Sequence, residues 1–116
     1  MIQWILWSED ENRLVEAISL AFGRHDDLID FLFDPDSPRL RTTSGQLIHE
    51  SASLSSGERL LIRIALDIWN SSGNVKIREL FCALDQEDFE NVLLALQYLG
   101  TDSSCLSWKE KTRASC

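Results

Sequence analysis

Between Arg59 and Trp69 eight apolar residues stand against three polar ones, Arg59, Arg63 and Asp67, which recur at every fourth position. At 3.6 residues per turn those three line up as one narrow stripe and leave the rest of the circumference apolar. A helix of that kind has to be covered on most sides, so the fold is expected to be built around it. Ser55-Ser56-Gly57-Glu58 precedes it with the S-x-x-E spacing of a capping box, and Asn70-Ser71-Ser72-Gly73-Asn74 breaks it. Over 58–69 the reading is therefore a central helix, with Trp69 in the core.

The chain has 116 residues, which bounds it to one domain, expected over 1–116. Apolar residues make up 44% and charged residues 26%, the balance of a folded globular protein. The reading is a mainly α domain of about five helices with a few short strands. Met1 to Trp7 is apolar and aromatic and suits a buried strand. Ser8-Glu9-Asp10-Glu11 is a second capping box, and Leu14, Val15, Ile18, Ala21 and Phe22 follow at helical spacing to Gly23, so a helix is expected over 9–22. Arg24 to Phe33 reads as a short amphipathic helix ended by Asp34-Pro35-Asp36-Ser37-Pro38. Residues 39–54, rich in Ser, Thr and Gly, read as a long loop. In the core-forming stretch 55–108, Val75 to Ile77 suits a short strand and Arg78 to Leu84 a short helix with Leu80, Phe81 and Leu84 inward. Asp85 caps a last helix with Leu84 and Phe89 as its hydrophobic staple. Phe89, Val92, Leu93, Leu96 and Leu99 make that helix's apolar stripe, and Gly100 its stop. Cys105 to Trp108 suits a further strand, and 109–116 a polar tail.

Nineteen acids against eleven bases leave a net charge of −8, and the excess is N-terminal. Such a surface repels polyanions, so nucleic acid and anionic membrane are disfavoured as partners and a basic or neutral protein surface is favoured. Without an 18-residue apolar run, a basic leader or a cleavage site, a cytoplasmic protein is expected. Three cysteines at wide spacing with two histidines exclude a disulfide framework or structural zinc site. Cys82, inside an apolar pattern, is expected to be buried.

The order helix 58–69, strand 75–77, helix 78–84, turn at Asp85, helix 86–99, strand 105–108 resembles a winged helix-turn-helix. The resemblance implies that 86–99 is the recognition helix, with Gln86, Glu87, Asp88, Glu90 and Asn91 at its leading end. Three carboxylates there have the wrong sign for phosphate. Leu54 to Glu58 resembles the signature loop of ABC-type ATPases, but no Gly-Lys pair exists to complete a phosphate-binding loop. His25-Asp26 resembles the paired ligands of HD-type phosphohydrolases, which draw on more histidines than His25 and His49. No G-x-S-x-G elbow occurs either. The chain is accordingly read as a non-enzyme without cofactor or metal, an acidic protein-interaction module acting as a small regulator, adaptor or inhibitor. Its candidate partner-binding residues are Asp26, Asp27, Asp30, Asp34 and Asp36 with Arg39 and Arg41 on one surface, and Glu87, Asp88, Glu90 and Asn91 on another. The alternatives are a winged-helix DNA-binding regulator and an acidic nucleic-acid mimic inhibiting a defence or nucleic-acid enzyme. A homodimer is compatible with the exposed face expected of Trp4 or Trp7.

Overall fold

The structure, a computed structural model, describes residues 8–36 and 39–101. Among these the chain forms six α-helices: α1 (Glu9–Phe22), α2 (Leu28–Leu32), α3 (Ser44–Glu50), α4 (Ser56–Asn70), α5 (Ile77–Ala83) and α6 (Gln86–Thr101). Short 3-10 turns over Gly23–His25 and Ser51–Ser53 lead into α2 and α4. The only β pairing among the described residues is one antiparallel bridge, Phe33 to Leu40. No strand forms at 75–77: Val75 and Lys76 belong to the loop before α5 and Ile77 is its first residue, whereas the segments 1–7, 105–108 and 109–116 lie outside the described residues.

Helix starts follow the local chemistry. Ser8 Oγ accepts from the Glu11 amide at 3.1 Å while Glu11 accepts from the Ser8 amide at 2.9 Å, and Ser55 and Glu58 repeat the exchange at 3.2 Å in both directions. Each box satisfies two backbone donors that a helix start would otherwise leave unpaired. Asp85 Oδ1 accepts from the Asp88 amide at 2.8 Å, with Leu84 buried before it. Gly23 ends α1 at φ +52°, a conformation that glycine reaches without steric cost.

Helix α4 is the centre. Leu60, Leu61, Ile62, Ile64, Ala65 and Leu66 are buried, and α1, α3 and α5 all pack on it. Its polar stripe has a structural use. The Asp67 carboxylate accepts from the amides of Gly73, Asn74 and Val75 at 2.8 to 3.0 Å. One turn earlier Arg63 donates to the Gly73 and Asn74 carbonyls and, at 2.7 Å, to Glu79 of α5. The pair clamps the loop after α4 and sets α5 beside it. Gly73 fits under this clamp because a Cβ there would stand 1.8 Å from the Arg63 carbonyl oxygen.

Several expectations change. Residues 39–54 are not a loop: Thr43 caps α3 by accepting from the Gln46 amide at 3.2 Å, and Leu47 is fully buried. The helix expected over 24–33 shortens to α2, with Leu28, Leu32 and Phe33 buried. Trp69 is half-buried rather than core and sets its ring edge-on to Phe33, centroids 5.1 Å apart. Cys82 is exposed, because α5 touches the core through Leu80 and turns Cys82 and Phe81 outward. On α6 the inward residues are Asp88, Val92 and Ala95, with Leu93, Leu94 and Leu96 exposed, so the expected stripe is rotated towards the face carrying alanine and aspartate. Small residues win that face because Ala17 and Ala21 of α1 and Ala95 of α6, all fully buried, permit close approach of the two most extensively paired helices.

Candidate functional site

The turn after α1 meets the start of α6 in a cluster of opposite charges. Arg24 Nη2 donates to Asp85 Oδ2 at 2.6 Å, and Arg24 Nη1 lies 3.0 Å from Glu87. Residues 61 positions apart in the chain are joined in this way. His25 bridges two helices: Nδ1 lies 3.6 Å from Glu58 of α4, and Nε2 lies 3.2 Å from Asp88 Oδ1 and 3.3 Å from Oδ2 on α6. Asp88 is 4% exposed, and its Oδ1 accepts no hydrogen bond of good geometry, being met by His25 Nε2 at 3.2 Å and Arg24 Nε at 3.8 Å. A buried carboxylate requires such partners.

The electrostatics agree with the geometry. Glu87 first, and Asp85 after it, hold the Arg24 guanidinium above its ordinary value. The Asp88 amide, followed by Arg24, holds the Asp85 carboxyl below the usual range. The amide and hydroxyl of Ser55 do the same for Glu58, with His25 adding its charge. The carboxylates of Glu58, Asp85, Glu87 and Asp88 outnumber the two basic side chains, and each lies within 4 Å of Arg24 or His25. Chemically the arrangement is a clasp that ties α1, α4 and α6, and among the described residues no group of three His, Cys, Asp or Glu is placed to hold a metal ion.

The sequence-derived candidates divide sharply. Asp34 is drawn inward: its Oδ1 accepts from the Asp36 amide at 2.8 Å and its Oδ2 lies 3.6 Å from Arg39. Arg41 donates to the Phe31 carbonyl at 2.9 Å and to Glu50 at 2.7 Å, with its guanidinium 5.2 Å from the Phe31 ring centre. Both arginines thus dock on the chain's own acids. Asp26, Asp27, Asp30 and Asp36 are exposed. Of the second set, Glu87 and Asp88 belong to the clasp, and Asn91 packs where a Cβ on Gly23 would come within 2.2 Å of its Nδ2. Glu90 alone is exposed and outside the clasp, accepting from Gln86 at 3.4 Å. The set is therefore mostly an internal contact.

A different surface went unread in the sequence. Ile77 is 79% exposed and lines a groove with Ile64, Ile68, Val75, Leu80, Val92 and Leu99, and Phe81, on the next turn of α5, is 64% exposed. Its signal was present in the apolar pair Ile77 and Phe81, four residues apart on one helix face. What the sequence does not carry is that α5 touches the core through only one of its sides. Among the described residues no helix is long and apolar enough to cross a membrane. No protein-family model matches the chain, and comparison with curated proteins and with solved structures finds no match to it.

Proposed function

We propose that the chain is a non-catalytic interaction module that binds another protein, one with a basic surface, and acts as a small regulator, adaptor or inhibitor. The observation that carries this reading is the exposure of Ile77, which lines the α4–α5–α6 groove, and of Phe81, one turn further along the same face of α5. Large apolar side chains clustered beside a groove are the usual anchor points of a protein interface. The partner's sign follows from the net charge of −8 and from the exposed Asp26, Asp27, Asp30 and Asp36. The amphipathic-helix mode suits a groove of this kind, with apolar anchors at i, i+3 or i+4, and i+7.

The test is capture from lysate of the source cells, nuclease-treated, with the native chain, Phe81→Asp, and a charge-reversal variant Asp26→Lys/Asp27→Lys/Asp30→Lys. A stoichiometric protein held by the native chain and lost with Phe81→Asp supports the reading; retention by both variants overturns it. The exposed aspartates favour a second reading, an acidic mimic that fills the nucleic-acid groove of a basic enzyme. Under that reading capture survives Phe81→Asp and fails with the charge reversal. Winged-helix DNA binding has less support, because the start of α6, which would face phosphate, carries Asp85, Glu87 and Asp88 already engaged by Arg24 and His25.

A further inference from the structure

The basic side chains of this acidic chain are unevenly used. Among the described residues Arg13, Arg24, Arg39, Arg41 and Arg63 each lie 2.6 to 3.6 Å from one of the chain's own carboxylates. Arg59, Lys76 and Arg78 are exposed and make no ion pair among those residues. Lys76 adds only its field to Glu79, whose carboxylate Arg63 already holds at 2.7 Å.

These three cations gather around α5. Lys76 is its N-cap residue and Arg78 lies in its first turn. Arg63 meets Glu79, and a Cβ on Gly57 would stand 3.6 Å from the Ala83 carbonyl oxygen, so α4 and α5 run antiparallel. Arg59, one turn before Arg63 on the same polar stripe, therefore stands level with Cys82. At 3.6 residues per turn Ile77, Phe81, Arg78 and Cys82 follow one another around α5, and all four are exposed. The nearby acids are engaged: Glu79 by Arg63, Asp67 by the amides of Gly73, Asn74 and Val75, and Asp85 by Arg24. The apolar rim of the groove thus has an unopposed positive edge, the reverse of the net charge of −8.

We propose that the occupant of the α4–α5–α6 groove is an acidic amphipathic helix of a partner protein. Its apolar side chains, one turn apart, seat beside Ile77 and Phe81, and carboxylates flanking them meet Arg59, Lys76 and Arg78. The assignment rests on the reading of this groove as a partner surface and adds the chemistry of what enters it. A partner whose body is basic opposite Asp26, Asp27 and Asp30 presents here a segment of the other sign, and the two signs together fix its orientation.

The test uses the full chain and two synthetic amphipathic peptides with the same leucine positions, i, i+4 and i+7, one flanked by glutamates and the other by lysines. Binding is read by NMR from the amide shifts of Val75, Ile77, Leu80 and Phe81, so attachment elsewhere on the acidic surface does not count. The glutamate peptide is expected to bind the native chain about tenfold tighter than the lysine peptide. The order should invert in Arg59→Glu/Arg78→Glu, and Phe81→Asp should lose both. The two reversed positions lie near the starts of their helices, where a carboxylate is tolerated, and circular dichroism checks the fold. Equal or tighter binding of the lysine peptide, or a glutamate preference that survives the double variant, overturns the assignment. Silence of both peptides overturns it too, and if Phe81→Asp still loses the protein captured from lysate, the partner reading stands without it. Concentration-dependent shifts of the same amides with no peptide present also overturn it, by naming a second copy as the occupant.

Discussion

Helices α4 and α6 are of similar length and both carry leucines and isoleucine or valine on several sides, yet α4 is buried and α6 is half-open. Around α4 stand α1, α3 and α5, whereas α6 lays one face on α1 and turns Leu93, Leu94 and Leu96 outward. The difference lies in the neighbours. An apolar helix shows how much cover it wants, and only the packing of distant segments decides how much it receives. The shortfall on α6 and α5 is where apolar surface is left uncovered.

The comparison breaks most sharply at Leu61. It is fully buried on α4, and Leu61→Ala is expected to destabilise by about 3 kcal/mol through lost burial and an unfilled cavity, read by urea denaturation. A loss below about 1 kcal/mol would mean that α4 is not the centre of the core. Asp67→Ala comes next. It strips the amides of Gly73, Asn74 and Val75 of their acceptor and is expected to cost about 2 kcal/mol. Hydrogen exchange should report those three amides, with α5, opening before α1.

Leu94→Ala sharpens the contrast, with an expected cost of about 1 kcal/mol for a side chain already half in water. A loss as large as that at Leu61 would erase the difference between the two helices. The smallest effect per site belongs to the clasps. The Asp88 amide holds Asp85, the Ser55 amide holds Glu58, and Arg63 holds Glu79 at protonation values below the ordinary ones. Carboxyls depressed in the folded state stabilise it fully above their unfolded values, about 3.9 for Asp and 4.3 for Glu, and lose that contribution as pH falls through the lower folded values. Stability should therefore decline below about pH 4, and Asp85→Asn should flatten the acid limb measured by thermal melting. An unchanged acid limb would mean that the Asp88 amide and Arg24 do not hold the Asp85 carboxylate in solution.

Much of the helix plan was legible because capping acts over three residues. Ser8 with Glu11, Ser55 with Glu58, and Asp85 with Asp88 sit where the spacing puts them, and α1 runs over 9–22 as expected. The α3 helix carried the same kind of signal, a Thr-x-x-Gln start at Thr43 to Gln46, hidden by Gly45 and by the serines that follow. The candidate site was less legible. Aspartates at 26, 27, 30 and 36 read as surface and are exposed, but Glu87 and Asp88 read the same way and are bound by Arg24 and His25. Nothing within a few residues of either set distinguishes them.

By itself, then, the sequence determined where α1, α4 and α6 begin, that α4 would be enclosed, and that an acidic surface would face outward, since caps, periodicity and net charge are local or additive properties. The tertiary structure alone decided which side of α6 faces α1, that Arg63 and Asp67 clamp the loop to α5, that His25 joins α4 to α6, and that Ile77 and Phe81 remain uncovered. Each of those depends on residues brought together from far apart in the chain, where burial and charge pairing are set by what arrives and not by what is adjacent.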